Sequence, residues 1–234
     1  MFYFLYNEIF YRPLLNGLVF FINITPFHNV GLAIIVFTIL IKVILFPLTH
    51  RSIKTQIKMK SIEPELKKIK KDNHDRQKQA LEIMSLYKRH GISPYSGFLT
   101  LLIQLPILIA LYYVFSKGLS FEKNLYSFLT VPKDINLTFL GIFNITQKSW
   151  ILAFFTGISQ FFQIKLSLPS QKPAVQEIKT FGDAFANSFT TQMKYIMPAF
   201  IFLVALNFPA AISLYWTTMN VFAIVHEGIV RRKN

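Results

Sequence analysis

Residues 30–49 read VGLAIIVFTILIKVILFPLT. Twenty residues at ~1.5 Å each match a ~30 Å hydrocarbon core, so a helix crossing a bilayer is expected here. The one charge is Lys42, twelve residues in and roughly 18 Å below one membrane face. An ammonium at that depth costs ~2.5–3.5 kcal/mol on insertion scales, so it is expected to face protein or water. The other face is ~12 Å away, a long reach for a lysine that only snorkels.

The rest of the chain has the same character. It has 234 residues, is 53% hydrophobic and includes 25 Phe, with a mean hydropathy of +0.41. So much apolar surface points to a polytopic, all-α integral membrane protein. Four more apolar segments follow, at 97–116, 150–166, 195–207 and 210–230. Pro209 separates the last two as a tight turn, while Pro47 and Pro106 mark expected kinks. Residues 1–29 lack a basic leader region and a small-residue cleavage site. They read as an aromatic-rich amphipathic helix in the outer interface, with a sixth span as the alternative.

The formal charge of +14 sets the orientation. Residues 50–96 carry twelve Lys and Arg, against four in 117–149. The loop 167–194 and the tail 231–234 are basic as well. By the positive-inside rule, five spans place the N-terminus outside and the C-terminus in the cytoplasm. Within 50–96, Ile53, Ile57, Ile62, Leu66 and Ile69 recur at helical spacing, as do Ala80, Ile83, Met84 and Tyr87. Around a turn at 72–75, the two runs read as a cytoplasmic helical hairpin, with Pro64 kinking or splitting the first. Its charge obeys the positive-inside rule and also suits contact with anionic lipid headgroups, ribosomal RNA or a translocase partner.

Enzymatic chemistry is poorly supported. Without cysteine there is no thiolate catalysis or Cys-ligated metal. His28, His50, His74 and His90 lack metal-ligand spacing, and His226 and Glu227 fall in the last turns of the fifth segment. Phosphate-loop, HExxH and Gly-x-Ser-x-Gly motifs are missing, so neither a cofactor nor a metal is expected. A Ser213–Lys42 dyad is conceivable by residue type alone.

The polar residues inside the spans carry more information. Thr38 lies one turn before Lys42 on the same helix face. Gln104 lies mid-segment beside Pro106, Asn207 closes the fourth segment, and Ser213, Thr217, Thr218 and Asn220 punctuate the fifth. Taken singly, each suits an ordinary interhelical hydrogen bond worth ~0.6 kcal/mol. Together, at similar depth around one cation, they predict a wet cavity.

The order of these segments resembles a known family. GLAIIVFTILIKVILFPLT, MKSIEPELKKIKK, SPYSGFLTLLIQLPILIALYYVF and FPAAISLYWTTMNVFAIV are similar to the YidC/Oxa-type membrane protein insertases, from about Pro13 to Val230. The resemblance implies five core spans around a hydrophilic groove that opens to cytoplasm and lipid and closes on the outer side. It also implies a bacterial plasma membrane location and, as activity, the insertion and folding of nascent membrane proteins, alone or with a Sec-type translocon. The family's groove arginine falls at Lys42, its threonine at Thr38, and its client-contacting aromatic pair at Tyr215 and Trp216. Gln104, Ser213, Thr217 and Asn220 are the expected groove neighbours, and Leu108 lies on the expected exit path. Two departures stand out: lysine in place of arginine at 42, and Thr100 where many bacterial relatives have proline. No large extracytoplasmic domain or long basic tail is seen, so the resemblance is to a minimal form. The rival readings are a small-solute or anion transporter using Lys42 as its binding charge, and a purely structural assembly subunit. Neither repeat symmetry nor a convincing broken midplane helix favours the transporter.

Overall fold

The computed structural model describes residues 4, 6–72, 75–93, 96–116, 124–167 and 181–232, with backbone only at 70, 76, 96–103 and 181–191. A π-helical turn, Asn7–Tyr11, runs into α1 (Arg12–Ile24). Then come α2 (Val30–Ile44), α3 (Phe46–Ser61), α4 (Glu63–Asp72), α5 (Arg76–Arg89) and α6 (Ser96–Ser116). A small antiparallel pair, β1 (Thr138–Phe139) and β2 (Phe143–Asn144), precedes α7 (Trp150–Ser167), α8 (Phe181–Ala205) and α9 (Ala210–Arg232). Of the expected turn at 72–75, residues 73 and 74 lie outside the described residues, as do 117–123 and 168–180 of the two loops and Lys233 of the tail. The side chain of Thr100 lies outside them too.

The stretch 30–49 departs from a straight span. Helix α2 ends at Ile44, and α3 leaves it at 66°. The cause is local: Pro47 lacks an N–H for the carbonyl of Val43, and its ring crowds the preceding turn. The fifteen residues of α2 cover only ~22 Å. Among the described residues no single helix is long and apolar enough to cross a bilayer, and the bent pair α2–α3 is the one combination that passes on length and composition. Helix α3 belongs to the bundle, packing on α6 and α9, so the projecting hairpin is formed by α4 and α5.

That hairpin has its own small core of Ile62, Leu86 and Ile92, flanked by Met59, Leu66, Ile69 and Tyr87. Pro64 stands in the first turn of α4, where its missing N–H costs nothing, and the chain splits at Ile62 just ahead of it. The second run needs a correction. Leu86 is the buried residue, while Met84 and Ala80 are exposed, because the stripe facing α4 runs through Ile83, Leu86 and Tyr87.

Helix α9 is central, touching α7, α2, α3 and α6, and α8 packs chiefly on α7. One end of the bundle is tightly closed by α1, the first turns of α2 and α9, and the end of α6. Leu15, Leu18, Ile22, Val30, Ile34 and Ile212 are all buried there. The loop 124–149 seals this end by serving exposed helix termini. Asn29 caps α2 through the N–H of Leu32 (3.1 Å) and donates to the Thr138 carbonyl (2.9 Å). The first N–H groups of α9, at Ala210 and Ala211, donate to the carbonyls of Gln147 (2.7 Å) and Ile145 (2.8 Å). Buried Asn16 ties α1 to the same loop through Asn124 and Tyr126.

Gly31 is required by the closeness of this seal. A methyl group there would stand 2.5 Å from the Phe139 ring. Gly31→Ala is therefore expected to destabilise the fold by ~1–3 kcal/mol through overpacking, visible as a lower thermal midpoint in detergent. An unchanged midpoint would show that the loop gives way freely.

Candidate functional site: a polar seam along the central helix

Lys42 sits in the last turn of α2, where the helix C-terminus favours a cation. It is 8% exposed. Its ammonium donates to Gln104 Oε1 (3.3 Å). The Gln104 amide in turn donates to the hydroxyl of Tyr215, which is itself buried. Three helices, α2, α6 and α9, thus meet in one chain of polar groups. Thr38 is buried one turn above Lys42, but its hydroxyl donates to the Ile34 carbonyl (2.6 Å). It lines the same helix face with its donor already used.

The other expected groove residues take a different partner. Ser213, Thr217 and Asn220 lie on the side of α9 that meets α7. Thr156 Oγ1 donates to the Leu152 carbonyl (2.9 Å), approaches the Ser213 carbonyl at 3.0 Å and stands 3.1 Å from the Thr217 hydroxyl. Asn220 Nδ2 reaches Ser159 Oγ (3.0 Å) and Gln160 Oε1 (3.2 Å), and the Trp216 indole donates to the same Gln160 oxygen (2.9 Å). The Ser213 hydroxyl is buried with no hydrogen-bond partner among the described residues. Thr156 on α7 approaches the Ser213 carbonyl while the Lys42 ammonium turns to Gln104 on α6, so no hydrogen bond joins Ser213 to Lys42 and the dyad has no geometric support. Asn207 bonds back to its own helix at the Leu203 carbonyl, and Thr218 does the same at Leu214. Leu108 and Trp216 are half-buried at the edge of the main core.

Thr156, Ser159 and Gln160 escaped the sequence reading, although their spacing of three and four marks a polar stripe along an otherwise apolar helix. The junction below the seam was also missed. Glu227 is 3% exposed, accepts from Ser167 Oγ (2.6 Å) and pairs with Arg231 (2.6 Å). Arg231 and Lys60 both donate to the Leu166 carbonyl, the latter at 3.2 Å. Two cations from different helices thereby serve the C-terminal end of α7. Burial holds the Lys60 ammonium below its usual range, with Arg231 adding repulsion and Glu227 and Glu63 opposing the shift. At the bend, Phe46, His50 and His226 stack, with the two imidazoles 3.2 Å apart at Nδ1 and Nε2. Among the described residues no cluster of three metal-ligating side chains occurs.

Only polar positioning links Gln104 to Tyr215, so their coupling is measurable. In a double-mutant cycle of Gln104→Leu and Tyr215→Phe, the interaction energy is expected to be ~0.6 kcal/mol and at most ~1.7 kcal/mol. Strict additivity in reversible unfolding would mean that the two side chains do not communicate.

Comparison with known proteins gives a consistent picture. A family model described as 60Kd inner membrane protein matches residues 20–234. The chain is 32% identical to membrane protein insertase YidC 2 of Bacillus anthracis over 97% of its own length and 81% of the relative's. It is 30% identical to membrane protein insertase YidC of Fusobacterium nucleatum, covering 95% of this chain and 97% of that one. The crystal structure of an active YidC insertase with its first transmembrane domain resolved has the same fold. Its TM-score is 0.60 at 24% identity, over 94% of this chain and 45% of that one.

Proposed function

Because the chain belongs to the 60Kd inner membrane protein family, which includes the YidC insertases, we propose that it inserts membrane proteins into the bacterial inner membrane by way of Lys42. The observation that carries this reading is the buried ammonium of Lys42, held by a neutral amide and unmatched by any carboxylate among the described residues. Such a charge attracts an acidic or polar segment, and the surrounding hydrogen-bonding groups shorten the low-dielectric path that the segment must cross. One end of the bundle is closed by apolar packing and the loop 124–149, which supports a groove entered from the opposite, hairpin side.

The charge distribution supports five spans with the N-terminus outside and the C-terminus in the cytoplasm. The bend at Leu45 then sets α3 at the inner membrane surface and α4–α5 in the cytoplasm, where nascent chains, a ribosome, a Sec-type translocon and anionic headgroups are the partners that suit its charge. Client helices leave sideways past Leu108 and Trp216, driven by burial of their own apolar surface in lipid. Tyr215, buried and bonded to Gln104, acts in this scheme as a support for the Lys42 amide partner. Purified protein in liposomes separates the readings. Insertion of an added single-span peptide supports an insertase, solute flux alone supports a transporter, and neither supports an assembly subunit.

A further inference from the structure

Away from the Lys42 seam, the opposite edge of the α7–α9 junction opens into a cleft of about 590 Å³. Its walls are apolar: Phe155, Ile158 and Phe162 from α7, Val221 and Ile224 from α9. The hydroxyls at its floor are already engaged, Ser159 with Thr156 and Asn220, and Thr217 with Thr156. Nothing in it holds a polar solute. At the hairpin end of the cleft the chemistry changes. Lys165 lines it, as does Leu166, whose carbonyl collects Lys60 and Arg231. Lys165 is exposed and forms no ion pair among the described residues, its ammonium lying 5.9 Å from the centre of the Phe161 ring. The nearby carboxylates are committed, Glu227 to Arg231 and Ser167, and Glu63 to Lys67.

The length of the cleft is informative. From Phe155 to Lys165 is ten residues of helix, ~15 Å, or half of a ~30 Å hydrocarbon core. A single acyl chain of one leaflet therefore fits between the two ends, with its phosphate beside Lys165, the cation that lines the cleft. A transmembrane client helix is about twice that length and would leave the basic end without an anionic partner. We propose that this cleft binds one anionic phospholipid of the inner leaflet, acyl chain along Ile158 and Phe162 and phosphate at Lys165. The proposal rests on the membrane orientation adopted above, and the occupant it commits to is lipid.

The test uses the full chain in vesicles of phosphatidylcholine with a minor fraction of phosphatidylglycerol, carrying a photo-crosslinking amino acid at Val221. Extracted protein is examined by native mass spectrometry, and insertion of an added peptide is measured in the same vesicles. Phosphatidylglycerol is expected to be enriched over its bulk fraction, and Lys165→Gln to lower that enrichment about fivefold, as for one basic contact near the surface. Ile158→Trp, which fills the cleft, should reduce crosslinking to both lipids. Equal retention of the two lipids, an unaffected Lys165→Gln protein, or crosslinks to the peptide in place of lipid would each overturn the proposal. Insertion that proceeds without lipid selectivity sinks this inference alone. Selective lipid retention without insertion sinks the functional reading alone.

Discussion

Replacing Lys42 with glutamate is expected to abolish insertion of a single-span substrate with an acidic N-terminal tail, while Lys42→Arg retains it. In the glutamate protein, the incoming carboxylates meet a like charge in a weakly screened site. At 4 Å this reverses an interaction of ~4 kcal/mol at an effective dielectric constant of 20, enough to change a rate by orders of magnitude. Arginine keeps the charge and enlarges the donor set from a rotating ammonium to a planar fork. Lys42→Met separates charge from shape, since it keeps the stem but has nothing with which to attract an acidic tail. The glutamate and methionine proteins should still insert substrates with neutral tails. Assays in liposomes at matched protein content decide the matter, and equal insertion by all variants would remove charge attraction from the mechanism.

The second large effect is expected at Glu227, which is structural. Glu227→Ala removes the carboxylate that accepts from Ser167 and pairs with Arg231. Arg231 remains beside Lys60 on one carbonyl, so two cations face each other without the balancing charge. Arg231 keeps 29% side-chain exposure, so water takes up part of the loss. A destabilisation of ~1–3 kcal/mol follows from the unsatisfied partners. Glu227→Gln, which can still accept from Ser167 but lacks the charge, should lose roughly half of that. Thermal unfolding in detergent gives the ranking of wild type, glutamine and alanine. Because the same junction joins α3 to the end of α7, limited proteolysis of the 50–96 region should quicken in the same order. If neither midpoint nor cleavage rate moves, the junction is not what holds α3 in place.

The insertase reading has a particular consequence for the lysine. The closed end is tightly packed with apolar side chains, whereas the polar seam is built from side chains that hold one another, apart from the unpartnered Ser213 hydroxyl. Lys42 holds Gln104, Gln104 holds Tyr215, and Thr156, Gln160 and Asn220 tie α7 to α9. On the proposed reading, a client segment would enter by exchanging hydrogen bonds with these groups. Each exchange is small, because a polar contact between membrane helices is worth ~0.6 kcal/mol on average. Weak, replaceable contacts suit a site that must release what it receives.

Much of this was legible in the sequence. The apolar runs at 97–116, 150–166 and 210–230 coincide with α6, α7 and α9 to within two residues, because runs bounded by proline and charge are local signals. The run at 195–207, by contrast, marks only the C-terminal part of α8, which begins at Phe181 in a more polar stretch. Lys42 was singled out for the same reason: one charge in twenty apolar residues needs no partner to be conspicuous. The hairpin was legible from its period, apart from the choice of Leu86 over Met84. The tertiary structure decided which faces meet. Ser213, Thr217 and Asn220 looked equivalent to Gln104 as neighbours of Lys42, yet the rotation of α9 turns them to α7 and presents Tyr215 to Gln104. Glu227 reads in the sequence only as a residue of the last turns of the fifth segment, and its burial is decided by the fold, because Ser167 and Arg231 supply its partners from 60 residues away and from one turn on. Helix periodicity fixes the angles between side chains on one helix, but the rotation of that helix against its neighbours is set by long-range packing. That is why the sequence determined the helices and their one deep cation, and only the fold determined what the cation holds.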